Sequence, residues 1–175
     1  MGLGRAIRVS RATGAALAML GAYWGGFAAL IPDYAARAGL DHAGLGRVLL
    51  FSAVGGMAAM ALGPRVGRVL GARVLPVTGA VLAAASLLPL TIGSGVSFTL
   101  AMLGMGAAMS SLDIAANVRI ADLEAREGLP LMNWNHALFS FGFAAAALAM
   151  GAARRGGMPP ELAQAGLAVV LVVAS

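Results

Sequence analysis

SSLDIAANVRIADLEAREGLPLMNWNHALFSFG, residues 110–142, gathers polarity in a chain that has little of it. It holds four of the seven acidic residues, one of the two histidines and a cluster of asparagines. Across the whole chain 60% of residues are hydrophobic, 11% are charged and the mean hydropathy is +0.88. A soluble domain carries about a quarter charged residues and could not hide this much apolar surface from water. The expected solvent is lipid, and the quoted stretch is the expected polar seam of a membrane-embedded helical bundle.

Working outward, the chain divides into six apolar runs. Residues 1–11 form an arm with Arg5, Arg8 and Arg11, and residues 12–31 follow without a charge. Twenty residues at about 1.5 Å each match a hydrocarbon core of about 30 Å. Pro32 and Asp33 are expected to stop this first span. A short outer loop with Arg37, Gly39 and Asp41 precedes span 2 at 43–62, where Arg47 snorkels toward the headgroups. The Gly- and Arg-rich loop GPRVGRVLGAR, residues 63–73, leads to span 3 at 74–92. Gly93, Ser94 and Gly95 make a tight turn into span 4, which begins near Val96 and continues as a helix beyond the membrane face to Gly128. Span 5 covers 131–153, and the last run, 162–175, is expected to be a sixth span cut short. A carboxylate left inside hydrocarbon is costly, so the chain reads as residues 1–175 of a longer protein.

All twelve basic residues are arginines, scattered in short groups, so no basic patch for nucleic acid forms. Eight fall on the side of the N-terminal arm (5, 8, 11, 65, 68, 73, 119, 126) and four on the other (37, 47, 154, 155). That asymmetry predicts a cytoplasmic N-terminus, with Arg154 and Arg155 as the exceptions. The Ala-, Gly- and Arg-rich, lysine-free composition points to a GC-rich bacterial genome and hence to the inner membrane. With no cysteine and two histidines, no thiol chemistry or metal ligand set is expected. Neither a Walker loop nor HExxH nor GxSxG occurs, so no enzymatic activity and no cofactor are expected.

Several residues remain as candidates for chemistry. On a helix, Asp113, Asn117 and Glu124 share one stripe, and Arg119, Asp122 and Arg126 share another that reads as a self-paired, solvated face. Asp113 lies where the apolar run ends. It suits either a proton-coupling carboxylate, since excluding water changes its hold on a proton, or an interfacial residue paired with Arg119 or a loop arginine. Asn133, His136 and Ser140 form a polar stripe on span 5 that is expected to face span 4 or the pore. Histidine is suited to carrying a proton near neutral pH, and a hydrogen bond pinning spans 4 and 5 is the other use of such a stripe. In span 1, Tyr23 and Trp24 sit beside Gly21, Gly25 and Gly26, a pattern that suits either ordinary packing or a small organic solute against an aromatic ring.

These residues resemble a known arrangement. Six spans with an Arg- and Gly-rich loop between spans 2 and 3 are similar to the N-terminal half of the major facilitator superfamily. The superfamily loop runs Gly-x-Leu-Ala-Asp-Arg-x-Gly-Arg-Arg; Gly71 and Arg73 match its end, Arg68 takes the usual Asp position, Val69 the Arg position, and Gly63 is displaced by one. More specific are Trp24 with Ile31-Pro32, Gly46 with Leu49-Leu50, and Asp113, Asn117, Glu124, Pro130-Leu131-Met132, His136, Ser140 and Gly142. This set is similar to a bacterial, sugar-permease-like branch. The resemblance implies an all-α polytopic fold, a missing C-terminal six-helix half, and a central cavity worked by alternating access with proton coupling. It implies solute contact at Tyr23 and Trp24, and coupling or gating at Asp113, Asn117, Asn133, His136, Arg68 and Arg73. A non-transporting scaffold or sensor module is the alternative the residues leave open.

Overall fold

The computed structural model describes residues 3–174, and these are helical throughout, with no strand among them. Met1, Gly2 and Ser175, which the sequence assigns to the arm and the last run, lie outside the described residues. A short helix α1 (Leu3–Val9) leads through Ser10 into α2 (Arg11–Arg37). Then follow α3 (His42–Leu70), α4 (Val74–Ala85), α5 (Gly95–Glu127), α6 (Met132–Arg155) and α7 (Pro160–Ala174).

Two spans run further than the sequence suggests. Helix α2 passes through Pro32 to Arg37, and α3 passes through Pro64 to Leu70. Proline removes one hydrogen bond, but in lipid the remaining backbone groups have no other partner than the helix, so the helix continues. Span 3, expected over 74–92, is broken. Helix α4 ends at Ala85, and a 3-10 turn at Leu88–Thr91 carries the chain to the next helix, with Pro89 at its start. Among the described residues four segments are long and apolar enough to cross a membrane, namely Arg11–Arg37, His42–Thr91 (α3 through the turn after α4), Gly95–Glu127 and Met132–Arg155, while Pro160–Ala174 is shorter.

The ends follow local chemistry. Asp41 caps α3 by accepting a hydrogen bond from Gly44 N at 2.7 Å. Ser94 and Ser97 form a reciprocal capping box at the start of α5. Helix α5 does continue to Gly128, whose φ of 63° supplies the left-handed cap.

Helix α2 packs chiefly on α6, and α3 on α5. Both contacts are made through missing side chains. A Cβ on Gly21 or Gly25 would run into the backbone carbonyl of Phe139 or Phe143, and one on Gly142 would meet the carbonyl of Ala18. In the second pair, Gly55 faces the Leu103 carbonyl and Gly106 the Ser52 carbonyl. Between helices in lipid there is no hydrophobic drive, so close backbone approach provides the dispersion contact that holds them.

The core lies where α2 meets α5. Trp24, Phe27 and Tyr34 form a ladder along α2, with centroids 5.8 and 5.7 Å apart, and Phe98 of α5 meets Phe27 and Tyr34 edge-on. Replacing Gly106 by Val should therefore lower the melting temperature in detergent, through an overpacking cost of about 1–3 kcal/mol. The same change at Gly166, which has open space around it, should leave melting unchanged in a thermal-shift measurement.

Candidate functional site

Halfway along three helices the seams part. Trp24 of α2, Ser52, Gly56, Met57 and Met60 of α3, and Gly106, Met109 and Ser110 of α5 line a cleft of about 390 Å³. Trp24 is held by stacking on Phe27 and remains partly exposed to the cleft. Gly56 is what keeps the cleft open on the α3 side, since a Cβ there would stand 2.7 Å from Ser110 Oγ. Tyr23 is placed differently: its ring is fully buried, it does not line the cleft, and its hydroxyl has no hydrogen-bond partner among the described residues.

The α5 wall continues as a polar stripe. Residues 106, 110, 113 and 117 follow at steps of four, three and four, so Gly106, Ser110, Asp113 and Asn117 share one face. Asn117 Nδ2 donates to Asp113 Oδ1 at 3.0 Å and to the Asp113 carbonyl at 2.9 Å. Asp113 makes no ion pair among the described residues. The pairing with Arg119 considered from sequence does not form, because Arg119 and Arg126 both bind Asp122, at 2.6 and 2.7 Å. That second stripe is the self-paired face expected from its spacing. Asp113 sits six residues, about 9 Å along the axis, from Arg119, and therefore inside the apolar part of the helix.

On α6, Asn133, His136 and Ser140 lie on an exposed face and do not meet α5. Their side-chain contact among the described residues is local, Ser140 Oγ donating to the His136 carbonyl at 3.2 Å. The reason is that α6 gives its small-residue face, with Gly142, to α2. The link between α5 and α6 is Glu124, whose Oε1 accepts from Met132 N at 2.8 Å and so occupies a free donor at the start of α6. Asn135 is the residue of this group that turns inward; it is fully buried, and its Oδ1 lacks a hydrogen-bond partner among the described residues. Arg68 and Arg73 are exposed at the end of α3 and in the turn after it, with no ion pair among the described residues.

Sequence reasoning missed a buried polar tie at the opposite end. Gln164 of α7 accepts from Tyr34 Oη at 3.2 Å and donates from Nε2 to the Ser86 carbonyl at 2.7 Å. Ser86 follows the last residue of α4, so its carbonyl has lost its helical partner and would otherwise be orphaned in an apolar setting. One glutamine inside the apolar run 162–175 was the available signal. Nearby, Arg154 binds Asp33 through two bonds, Nε at 3.0 Å and a terminal nitrogen at 2.6 Å, and Arg37 pairs with Glu161. Asp33, expected to stop the first span, lies within α2 and pairs with Arg154.

Among known proteins the chain is similar to an uncharacterized MFS-type transporter of Yersinia pestis, with 36% identity over 117 residues. The chain belongs to the major facilitator superfamily. The match covers 66% of this chain and 30% of that relative, so the chain spans about a third of the length of the transporter it matches. No protein-family model and no solved structure matches it. The superfamily and the all-helical membrane fold anticipated from the six apolar runs are thus met, and the chain is a multi-pass membrane protein.

Because the chain has no cysteine, single cysteines report the cleft without background. A water-soluble maleimide should label Ser110→Cys at least about tenfold faster than Met105→Cys, which is fully buried on the other side of the same helix.

Proposed function

We propose that this chain is the N-terminal part of a secondary active transporter that moves a small organic solute by alternating access, coupled to protons. The observation that carries the reading is the cleft halfway along α2, α3 and α5, with Trp24 on one wall and the Ser110–Asp113–Asn117 stripe leading from it toward the helix end. A solute enters against the indole face, where an aromatic ring gives area and orientation at little entropic cost. Tyr23, buried with an unpartnered hydroxyl, offers a second polar contact when the cleft opens.

Asp113 is the proton-handling group in this reading, and Asn117 fixes its carboxylate orientation. His136 and Asn133, exposed on α6, and Arg68 and Arg73, exposed after α3, are positioned to meet the C-terminal six-helix half as an inner gate. The work is binding and conformational change, without covalent chemistry.

Charge supports a cytoplasmic N-terminus in a bacterial inner membrane. Once the ion pairs are removed, Arg8, Arg11, Arg65, Arg68 and Arg73 remain unpaired at the N-terminal end, against Arg47 and Arg155 at the other, among the described residues. Arg154, the apparent exception, is cancelled by Asp33. The rule weighs basic residues rather than net charge, and by that count eight arginines lie at the N-terminal end against four at the other.

Transport by full-length protein in proteoliposomes, screened with labelled sugars and aromatic dyes, tests the proposal. Wild type should move at least one solute faster than empty liposomes, and Trp24→Ala should slow that flux about tenfold through loss of the stacking surface. Asp113→Asn should abolish accumulation driven by a proton gradient while leaving solute exchange. Gradient-driven accumulation by Asp113→Asn at the wild-type level would falsify the coupling role.

A further inference from the structure

At the N-terminal end of the bundle an open notch of about 730 Å³ lies between the α1–α2 joint and the first turns of α6. Arg8, Arg11 and Trp134 line its outer part, and Ala12, Ala15 and Leu138 its inner part. The joint that carries the arginines is fixed: Ser10 Oγ donates to the Ala6 carbonyl at 2.8 Å, and Gly14 N donates to the Ser10 carbonyl at 2.7 Å.

Both arginines are exposed, and neither takes part in an ion pair among the described residues. The carboxylates at this end are already engaged. Glu127 binds Arg5 at 2.8 Å, Asp122 binds Arg119 and Arg126, and Glu124 accepts from the backbone of α6. Arg8, Arg11 and Trp134 thus line one notch, and neither arginine has a carboxylate partner among the described residues. That donor set matches a phosphate diester.

The inner wall decides the source of the phosphate. Helix α2 carries no charge from residue 12 until Asp33, so Arg11 marks the point where hydrocarbon begins. Ala15 belongs both to the notch and to a wholly apolar groove of about 860 Å³ between α2, α6 and α7, walled by Ala18, Ala145 and Ala149. The groove therefore starts where the arginines end. A free phosphate gains nothing from such a groove, whereas an acyl chain fills it.

We propose that the notch binds the phosphate of an anionic phospholipid between Arg8, Arg11 and Trp134, with an acyl chain laid along the alanine groove of α2 and α6. Tryptophan at the headgroup level and arginine at the helix end are the residue types that such a lipid meets in an interface.

Native mass spectrometry of the detergent-solubilised protein, mixed with equal amounts of phosphatidylglycerol and phosphatidylcholine of the same acyl length, tests this. The protein should retain phosphatidylglycerol about tenfold over phosphatidylcholine, a difference of about 1.4 kcal/mol. Arg8→Gln with Arg11→Gln should abolish that preference, whereas Arg65→Gln with Arg68→Gln, which removes equal charge from the same end, should keep it. Ala149→Trp, which fills the groove and leaves the arginines in place, should weaken retention of both lipids. Equal loss in the two arginine pairs would reduce the effect to general surface attraction and overturn the site. Displacement of the lipid by millimolar inorganic phosphate would overturn the lipid as its occupant.

Discussion

A carbonyl oxygen of one helix resting where a side chain would stand on its neighbour is the contact on which the rest of this structure depends. In water, a helix pair is held by removing apolar surface from solvent; in lipid that term vanishes, and what remains is close packing. Gly21, Gly25 and Gly142 give α2 and α6 that approach, and Gly55 and Gly106 give it to α3 and α5. The two tight pairs then meet through the aromatic ladder of α2 and Phe98. Where α2, α3 and α5 come together side by side, the tight pairing of α3 with α5 leaves Trp24 looking into a gap, and that gap is the cleft.

Polar groups are placed by the same economy of partners. Apart from the Tyr34–Gln164 bond, the side-chain ties between helices described above stand where a helix end leaves a backbone group free or where two charges can cancel. Glu124 takes the Met132 amide, Gln164 takes the Ser86 carbonyl, and Asp33 takes Arg154. Asp113 is the departure from this pattern. Its side-chain partner among the described residues is Asn117 one turn on, a neutral amide, and no cation pairs with it there. A group left in that condition inside an apolar helix is available for a proton, which is why the functional reading rests on it.

The fold was legible because the constraints of lipid are written into composition and run length: twenty uncharged residues leave few options for residues 12–31. Glycine at positions 21, 25 and 106 announced close packing, but not with which partner, because spacing along one helix says nothing of the neighbour that receives it. Proline misled twice, at Pro32 and Pro64, since the cost of an unsatisfied backbone in lipid exceeds the cost of one lost hydrogen bond. At the candidate site, Asp113, Asn117 and Trp24 could be singled out as polar or aromatic residues in apolar surroundings. That Tyr23 is buried away from the cleft, and that the stripe of Asn133, His136 and Ser140 does not meet α5, could not be read from spacing, because which side of α6 turns inward is decided by Gly142 meeting Ala18, a contact across helices.

Disulfide cross-linking of cysteine pairs in this cysteine-free chain measures the helix pairing directly. A Cβ added to Gly14 would stand 2.8 Å from Leu138 Cδ1 on α6, and one added to Gly26 would meet the Leu167 side chain on α7. Bridging needs Cβ atoms about 3.5–4.5 Å apart. The pairs Gly14→Cys with Leu138→Cys and Gly26→Cys with Leu167→Cys should therefore close on oxidation in the membrane, and Gly14→Cys with Leu167→Cys should stay open. Closure of that third pair, or failure of the first, would contradict the packing from which the cleft and its polar seam follow.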